Sequence, residues 1–344
     1  MSQKQTRPQE ALIECRDLKV FYPVRSGVFM RTSGYVKAVD GVNLTLRTAE
    51  IVSIVGESGC GKSSLGNAIL GLAPIQSGTL SLDQHSIDTS KKSAFNEHSI
   101  RRNFQYIFQD PYSSLNPRHT IFEIIAEPLI FHKVCKAREA RDKVARLLAQ
   151  CGLEEDYMDR YPHSFSGGQR QRIAIARAIG LEPKAIICDE IVAALDVSVQ
   201  AQIVNLLLEL REELGLALLF ISHDLSLVRY LSDRVYVMYL GEIIEQGKVE
   251  AVFNNPRHHY TRALMDSVPG LEVGKRPRII SGEVPSPANK PAGCAFASRC
   301  QSRQPQCADE QPELRSTENA GQFTHQYACH YPLATTSTGN PQDR

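Results

Sequence analysis

A glycine-rich turn between an apolar run and a run of helix-forming residues constrains this chain more than any other feature. Residues 52–66 read VSIVGESGCGKSSLG and contain the complete pattern GxxxxGK[ST]. Gly56, Gly59 and Gly61 allow positive φ and close backbone approach, so successive backbone N–H groups can turn inward around an anion. The helix that follows points its positive end at the same charge. The pattern therefore predicts a strand, a nucleotide-binding loop and a helix, in preference to a glycine-rich turn that binds nothing.

The other loop residues suit a nucleotide that carries magnesium. Lys62 lies where its ammonium group can reach the β- and γ-phosphates, and the hydroxyl of Ser63 can bind Mg²⁺. Glu57, Ser58 and Cys60 occupy the variable positions of the pattern. The residues predicted to contact the nucleotide are Gly56, Glu57, Ser58, Gly59, Cys60, Gly61, Lys62, Ser63 and Ser64.

Composition limits the classes of protein to which the chain can belong. With 344 residues, 42% of them hydrophobic, it can bury a sizeable core, and we expect one large domain with an appendage. The 39 basic and 38 acidic residues nearly balance, which gives no support for a general nucleic-acid-binding protein. The sequence has no apolar run of about 18 residues, and its polar N-terminal residues lack the apolar centre of a signal peptide. We therefore expect a cytosolic location, with docking on a membrane protein left open.

Polar residues follow several apolar runs that read as buried strands. Gln109 lies near the end of FQYIFQD, Asp189 and Glu190 follow the run at 185–188, and His223 follows LALLFIS. In an α/β sheet, ligands collect at the carboxyl ends of the strands. Asp189 can hold Mg²⁺ there, Glu190 can polarise an attacking water, Gln109 can reach Mg²⁺ or that water, and His223 can contact a γ-phosphate. A surface glutamine before a proline turn and a structural histidine are the alternatives.

Two further regions frame these strands. Residues 11–24 have the alternation of an edge strand, and VKAVDGVNLTL reads as a strand pair with its turn at Asp40 and Gly41. Tyr22 ends the first strand, where it either stacks on an adenine ring or packs as a core aromatic. Near the other end, Gly241 marks a hairpin.

A helical region lies between the predicted strand that ends near Gln109 and the one that Asp189 and Glu190 follow. Residues 121–152 show amphipathic helical periodicity. Ser166, Gly167 and Gly168 then form a second glycine-bearing loop that opens a helix, and this loop is a second candidate anion site. A long helix is predicted from Val199.

This series of motifs resembles the ATP-binding subunit of an ABC transporter. The resemblance implies an α/β fold: a RecA-like P-loop nucleotide-binding domain with an antiparallel β subdomain and a helical subdomain. It implies that Gln109 belongs to the Q-loop, 165–169 is the signature, and Asp196 belongs to the D-loop. His223 is then the switch histidine, and Tyr22 stacks on adenine. The signature residues implied to contact ATP are Ser166, Gly167, Gly168 and Gln169.

Three residues depart from the usual pattern of this family. Ile191 replaces a proline after Glu190, Ala193 replaces a serine of the D-loop, and Phe165 replaces the leucine of the signature. None of these changes removes a phosphate, metal or water ligand. We therefore expect catalysis to survive.

Further motifs resemble one branch of that family, the second ATPase subunit of oligopeptide, dipeptide and nickel importers. They are DPYSSLNPR after Gln109, HHYTRALMDSVP at 258–269 and GEVPSPANKPAGCAFASRC at 282–300. The implied organisation is an ATP-binding domain at 11–254 with a helical subdomain at about 111–178, an irregular cysteine-containing extension at 255–335, and flexible tails at 1–10 and 336–344.

The family implies the partners and the mechanism. Two ATPase subunits, here a heterodimer or alternatively a homodimer, sandwich two ATP molecules, each between one P-loop and the partner's signature. Two membrane permeases and, indirectly, a periplasmic solute-binding protein complete the importer at the cytoplasmic face of the inner membrane. The surface at 111–118 is implied to receive a permease helix, with Leu115 expected to matter for coupling. Peptide import is the expected function; import of nickel or another solute and a soluble ABC ATPase without a transport role are the alternatives.

Four of the nine cysteines crowd the C-terminal part of the chain. Cys294, Cys300, Cys307 and Cys329 are separated by five, six and 21 residues, which fits neither paired zinc knuckles nor a bacterial ferredoxin run. The spacing alone leaves zinc, an iron–sulfur cluster and free thiols open. The importer branch implies that these cysteines bind a four-iron four-sulfur cluster with a structural role.

Overall fold

The computed structural model describes residues 10–26, 31–268, 280, 282–317 and 324–334. Its strands are β1 (Ala11–Ser26), β2 (Arg31–Arg47), β3 (Ile51–Val55), β4 (Ser77–Leu82), β5 (His85–Ile87), β6 (Phe104–Ile107), β7 (Ala185–Asp189), β8 (Ala217–Ser222), β9 (Arg234–Tyr239), β10 (Glu242–Lys248), β11 (Arg315–Ser316) and β12 (Gln326–Tyr327). Its α-helices are α1 (Lys62–Ile69), α2 (His98–Asn103), α3 (Pro111–Ser114), α4 (Ile121–Phe131), α5 (Ala140–Gln150), α6 (Gly167–Ile179), α7 (Val197–Leu214), α8 (Leu225–Leu231), α9 (Val249–Asn254), α10 (His259–Asp266) and α11 (Gln306–Asp309).

The larger sheet has the strand order β11-β12-β10-β9-β3-β8-β7-β6. Strands β6, β7, β8, β3 and β9 run parallel, and β10 returns antiparallel to β9. Every residue of β3, β7 and β8 is buried, as expected for parallel strands that are covered on both faces. The carboxyl ends of the parallel strands therefore meet at one edge, where the sequence places its polar residues. The predicted hairpin at Gly241 is confirmed by the β9–β10 pair.

The smaller sheet is antiparallel, in the order β2-β1-β4-β5. Two sequence predictions are wrong here. Strand β1 is not an edge strand, because β2 and β4 pair with its two sides. The predicted turn at Asp40 and Gly41 does not form either: β2 is one continuous strand, and Gly41 takes φ 80 beside a register shift between β1 and β2. A bulge uses the same positive φ as a tight turn, so the local signal is shared.

The helical region predicted at 121–152 is confirmed by α4 and α5. A capping box fixes the start of α4: Thr120 accepts from the backbone of Glu123, whose carboxylate accepts from the backbone of Thr120. Helices α4, α5 and α6 pack on one another around a shared apolar core. Leu115, predicted as a surface residue, is 1% exposed and belongs to this core. A disruptive change at Leu115 would therefore act first on the packing of this core and not on an exposed contact surface.

The C-terminal extension is less irregular than its sequence predicts. Helix α10 lies within it, and β12 pairs with β10 at the side of the larger sheet. The Lys290 ammonium bonds the carboxylates of Asp40 and Glu242 at 3.0 and 2.5 Å. The extension therefore docks on the main sheet through strand pairing and a partly buried ion pair. The predicted tails lie outside the described residues except for Glu10. In the part of the chain that the structure describes, no helix combines the length and apolarity needed to cross a membrane.

Candidate nucleotide-binding and catalytic site

The predicted loop follows β3 and leads into α1, in the strand–loop–helix order that the glycines predict. Gly61 immediately precedes α1 with φ 109, and a Cβ atom there would lie 1.9 Å from the carbonyl oxygen of Ala38. Only glycine fits this position, because any side chain would collide with fixed backbone and strain φ. The loop backbone is therefore held close to β2.

Lys62 lies across the loop that precedes it. Its Nζ donates to the carbonyl oxygens of Gly56 and Glu57 at 2.9 and 3.1 Å, and the residue is 4% exposed. The ammonium group is thus already positioned inside the turn by backbone acceptors. A phosphate that enters the turn would meet a preorganised cation and would not have to order a mobile side chain.

Ser63 and Asp189 form the oxygen-rich part of the site. The Ser63 hydroxyl donates to one carboxylate oxygen of Asp189 at 3.0 Å, although 126 residues separate the two in sequence. The Tyr106 hydroxyl donates to the other carboxylate oxygen at 2.7 Å. Burial raises the pKa of Asp189, and the bonds from Tyr106 and Ser63 oppose that rise. Sequence reasoning missed Tyr106, whose only signal is its position on the strand that ends near Gln109.

Glu190 directly follows β7 and is the point where three strand ends meet. Its carboxylate accepts from Gln109 Nε2 at 2.8 Å and lies 3.5 Å from Nδ1 of His223. Its backbone has φ 47, and its N–H donates to the carbonyl oxygen of Ile221 at 2.9 Å. A non-glycine residue at positive φ is uncommon, and it turns this side chain out of the strand direction. The structure therefore brings together Gln109, Glu190 and His223, as the strand-end argument predicts.

The second glycine-bearing loop caps α6. Ser166 and Gln169 form a reciprocal capping box, with bonds of 3.0 and 3.3 Å between side chain and backbone. Among the described residues, the hydrogen bonds of this loop stay within the loop and α6. Asp196, just before α7, is also exposed. Of the predicted ATP contacts in these two loops, Ser166 and Asp196 are exposed, Gly167 and Gln169 are partly exposed, and Gly168 is buried.

The other predicted residues fall into two groups. Tyr22 is half-buried and packs against the core of the smaller sheet, which leaves part of its ring accessible. Phe165 and Ile191, two of the three departures from the family pattern, are 5% and 2% exposed and join the core beside α6. Ala193 is exposed. Packing therefore accounts for the apolar character of Phe165 and Ile191.

The four C-terminal cysteines line one small cavity, which Cys294, Cys300, Cys307 and Cys329 share with His258 and Phe296 among others. Burial, with a smaller contribution from the neighbouring thiols, raises the pKa of Cys294 to about 12 and that of Cys329 to about 11. Within the described residues, no group of three or more His, Cys, Asp or Glu side chains is arranged to hold a metal ion. The four predicted ligands thus share a cavity, but these described side chains are not arranged around a metal ion.

Comparison with known proteins gives matches along almost the whole chain. Residues 39–193 match the family model described as ABC transporter, and residues 244–307 match the one described as oligopeptide/dipeptide transporter, C-terminal region. The oligopeptide transport ATP-binding protein AppF of Bacillus subtilis is 48% identical over 326 residues, which cover 94% of this chain and 98% of AppF. The dipeptide transport ATP-binding protein DppF of Escherichia coli is 44% identical, over 99% of this chain and 100% of DppF.

A solved structure shares the fold. The ATP-binding cassette MJ0796, a dimer in a post-hydrolysis state bound to ADP and Pi, matches with a TM-score of 0.61 and 30% identity. The match covers 69% of this chain and 98% of that chain. The part of this chain that the match leaves out is about as long as the C-terminal extension and the tails together.

Proposed function

The chain belongs to the family of oligopeptide and dipeptide ABC transport ATP-binding proteins, and from that premise we propose that it hydrolyses ATP to energise peptide import. The observation that supports this most directly is the convergence of Gln109, Asp189, Glu190 and His223 on the strand edge beside the phosphate-binding loop. Import of nickel or another small solute is the alternative, because the residues of this site face a nucleotide and not the transported solute.

The residues near Ser63 fit a magnesium ion in the chemistry of their donors. A hydroxyl and a carboxylate joined at 3.0 Å are oxygen ligands of the type that Mg²⁺ prefers. Ser63, Asp189 and Gln109 are the residues proposed to hold the ion, directly or through water. When bound with ATP, Mg²⁺ would neutralise charge on the phosphates.

Lys62 and the loop amides are proposed to bind and orient the phosphates. Lys62 would exchange its bonds to the loop carbonyls for bonds to phosphate oxygens, and those charge-assisted bonds are the stronger kind. Tyr22, with part of its ring accessible, is proposed to stack on the adenine. The sequence-predicted loop residues from Gly56 to Ser64 keep the roles that the glycine pattern assigns to them.

Glu190 is proposed to polarise the attacking water. Its carboxylate stands at the strand end with Gln109 at 2.8 Å and His223 at 3.5 Å, so both partners orient it from opposite oxygens. Gln109 would help to place the water, and His223 would contact the γ-phosphate. Positioning of water by a carboxylate and an amide is the protein's main contribution in phosphoryl transfer.

A second ATPase subunit is proposed to complete each site. Ser166, Gly167, Gly168 and Gln169 at the start of α6 and Asp196 before α7 are proposed to contact the ATP of the partner, which the exposure of Ser166 and Asp196 supports. The proposed assembly is a heterodimer with a second ATPase, bound peripherally at the cytoplasmic face of the inner membrane to two permeases. A periplasmic solute-binding protein would select the solute, and nucleic acid has no place in this assembly.

The proposed permease contact includes α3 and the end of α4. Tyr112 is 66% exposed and Phe131 is 71% exposed, and both are large apolar side chains. The Arg170 guanidinium lies 3.5 Å from the centre of the Tyr112 ring. This contact connects the exposed ring to α6, the helix that the signature opens, so force on the ring would reach the signature.

The C-terminal cysteines are proposed to hold one iron–sulfur cluster. Four soft ligands around one cavity support this proposal. The described residues show no group of side chains arranged around a metal ion, so the shared cavity and the soft character of the ligands carry this proposal. The thiols must lose their protons to bind, and the raised pKa values of Cys294 and Cys329 make that step depend on a cationic partner.

Replacing the proposed water-polarising residue tests the proposed function. Glu190→Gln keeps the size of the side chain and its contact with Gln109 but removes the negative charge. We expect loss of at least about 100-fold in ATP hydrolysis and loss of peptide uptake, with ATP still bound. The readouts are phosphate release by the assembled transporter and uptake of labelled peptide.

A matched control is Glu182→Gln, which removes an exposed carboxylate paired with Lys143 on the surface. This variant should hydrolyse ATP and transport normally. Undiminished peptide uptake by Glu190→Gln would contradict the proposed function. If the unaltered transporter hydrolyses ATP and takes up nickel but not peptide, the result favours import of the alternative solute.

A further inference from the structure

Two contacts from the C-terminal extension converge on one residue of the phosphate-binding loop. The Tyr260 hydroxyl accepts a hydrogen bond from the backbone N–H of Glu57 at 2.8 Å. The Arg299 guanidinium donates to both carboxylate oxygens of Glu57, at 2.6 and 3.0 Å. These partners lie 203 and 242 residues away in sequence. The extension thus reaches into the loop that the nucleotide must enter.

The two side chains of the extension that contact Glu57 are held rigidly. Arg299 is 4% exposed at its side chain and also donates to the Tyr239 hydroxyl at 3.2 Å. The rings of Tyr239 and Tyr260 are 4.6 Å apart, and the Phe296 ring stands edge-on to both. Aromatic packing of this kind restricts motion of every member. Arg299 and Tyr260 are therefore fixed before any nucleotide binds.

The backbone of the extension adds to this rigidity. The N–H of Ala297 donates to the carbonyl oxygen of Cys294, and the N–H of Arg299 donates to that of Phe296, both at 3.0 Å. These bonds form a tight turn that ends at Cys300. Because the turn fixes the backbone at Arg299, it also restricts where the Arg299 side chain can lie.

Glu57 is held at all three of its polar groups. Tyr260 binds its N–H, Lys62 binds its carbonyl oxygen at 3.1 Å, and Arg299 binds its carboxylate. A free carboxylate in this loop would repel a polyphosphate, and an unanchored loop would have to be ordered on binding. The bidentate ion pair removes both costs, because it neutralises the carboxylate and fixes the loop in one conformation.

We propose that Arg299 and Tyr260 are positioning residues of the ATP site, and that they act through Glu57 to set the affinity for ATP. The C-terminal extension is then a working part of the phosphate-binding loop and not only a docked appendage. This inference rests on the proposed ATPase function. It requires neither metal nor cluster in the cysteine-lined cavity, because the contacts involve side chains and backbone alone.

The test compares ATP affinity with turnover in the full chain. Arg299→Met keeps the length and apolar stem of the side chain but removes the charged fork. We expect its dissociation constant for ATP, measured by titration with a fluorescent ATP analogue, to rise about tenfold, as loss of a hydrogen bond to a charged group would give. The kcat of the assembled ATPase at saturating ATP should stay within about twofold, because uniform binding and not the chemical step has changed.

Two further variants refine the outcome. Tyr260→Phe removes only the acceptor for the Glu57 N–H and should raise the dissociation constant about threefold to fivefold, since this bond is neutral. Arg299→Lys restores the charge without the fork and should recover part of the affinity. In the background of Glu57→Gln, the change Arg299→Met should have a smaller effect, which a double-mutant cycle measures as coupling.

A matched control separates positioning from loss of stability. Arg262→Met breaks an ion pair of 2.9 Å with Asp266 on the same helix as Tyr260 and should leave ATP affinity unchanged. Equal loss of affinity in Arg262→Met, or unchanged affinity in both Arg299→Met and Tyr260→Phe, overturns the proposal. If Arg299→Met does not fold, Tyr260→Phe alone decides. Failure of the unaltered chain to bind ATP would instead contradict the proposed function.

Discussion

At the scale of single residues, Tyr106 shows how a buried hydroxyl can tune a metal ligand. Its O–H donates to Asp189, the carboxylate that is also bonded to Ser63. Burial raises the pKa of Asp189, and the bond from Tyr106 favours the charged form in which a carboxylate binds Mg²⁺. The hydroxyl therefore compensates for the apolar surroundings of β6 and β7.

Tyr106→Phe is expected to raise the Mg²⁺ concentration needed for half-maximal ATP hydrolysis by about tenfold, because a hydrogen bond to a charged group is lost. The measurement is a titration of phosphate release against free Mg²⁺ at saturating ATP. Tyr236→Phe is the control, since that hydroxyl bonds Arg234 and the backbone of Thr45 and not Asp189. An unchanged Mg²⁺ requirement in Tyr106→Phe would show that the hydroxyl only fills space.

At the scale of elements, patterns of neighbouring residues predicted those helices, strands and loops whose conformation depends on local sequence. The glycine pattern placed the phosphate-binding loop between β3 and α1, and apolar runs placed β7 and β8 with their polar ends. These signals work because a parallel strand covered on both faces reads as a continuous apolar run, and because a position with positive φ favours glycine. Asp40 and Gly41 misled for the same reason, since a bulge and a turn share the local conformation and only the pairing with β1 distinguishes them.

Contacts between distant elements were beyond the reach of one sequence. The bonds from Tyr106 to Asp189 and from Arg299 to Glu57 join residues that are 83 and 242 positions apart. No spacing rule links such positions, because the sheet order and the docking of the extension decide which side chains meet. The cysteines are an intermediate case: their crowding in sequence predicted a shared location, but their ligand geometry depends on the fold.

The C-terminal segment also carries its own prediction. Full-length chain purified without oxygen should contain iron and acid-labile sulfide and show a broad brown absorbance, which Cys300→Ser removes. Cys135→Ser is the control, because that partly exposed cysteine packs against the helical core, far in sequence from the other four, and its loss should leave the colour unchanged. One zinc per chain without iron, or neither metal, would contradict the proposed cluster.

At the scale of the whole molecule, the phosphate-binding loop and the signature loop belong to different parts of the chain. Lys62 begins α1, directly after the loop at the carboxyl end of β3, whereas Ser166 caps α6 in the helical region. We therefore propose that residues 165–169 and the loop before α1 are two halves of a phosphate site, each completed by a partner subunit. In the proposed head-to-tail assembly, each half would meet its counterpart across an interface between two ATPase subunits.

This arrangement predicts different effects of two changes when the chain is assembled with its second ATPase. Lys62→Ala should abolish photolabelling of this chain by an azido-ATP analogue, because the cation of its own loop is lost. Ser166→Arg should leave that labelling intact and instead reduce labelling and hydrolysis at the partner's loop, where an added cation and bulk would block the shared site. Ser164→Arg, two residues earlier and also exposed, should change neither. If Ser166→Arg removed the label from its own chain as Lys62→Ala does, the signature would act within one chain and the head-to-tail assembly would be wrong.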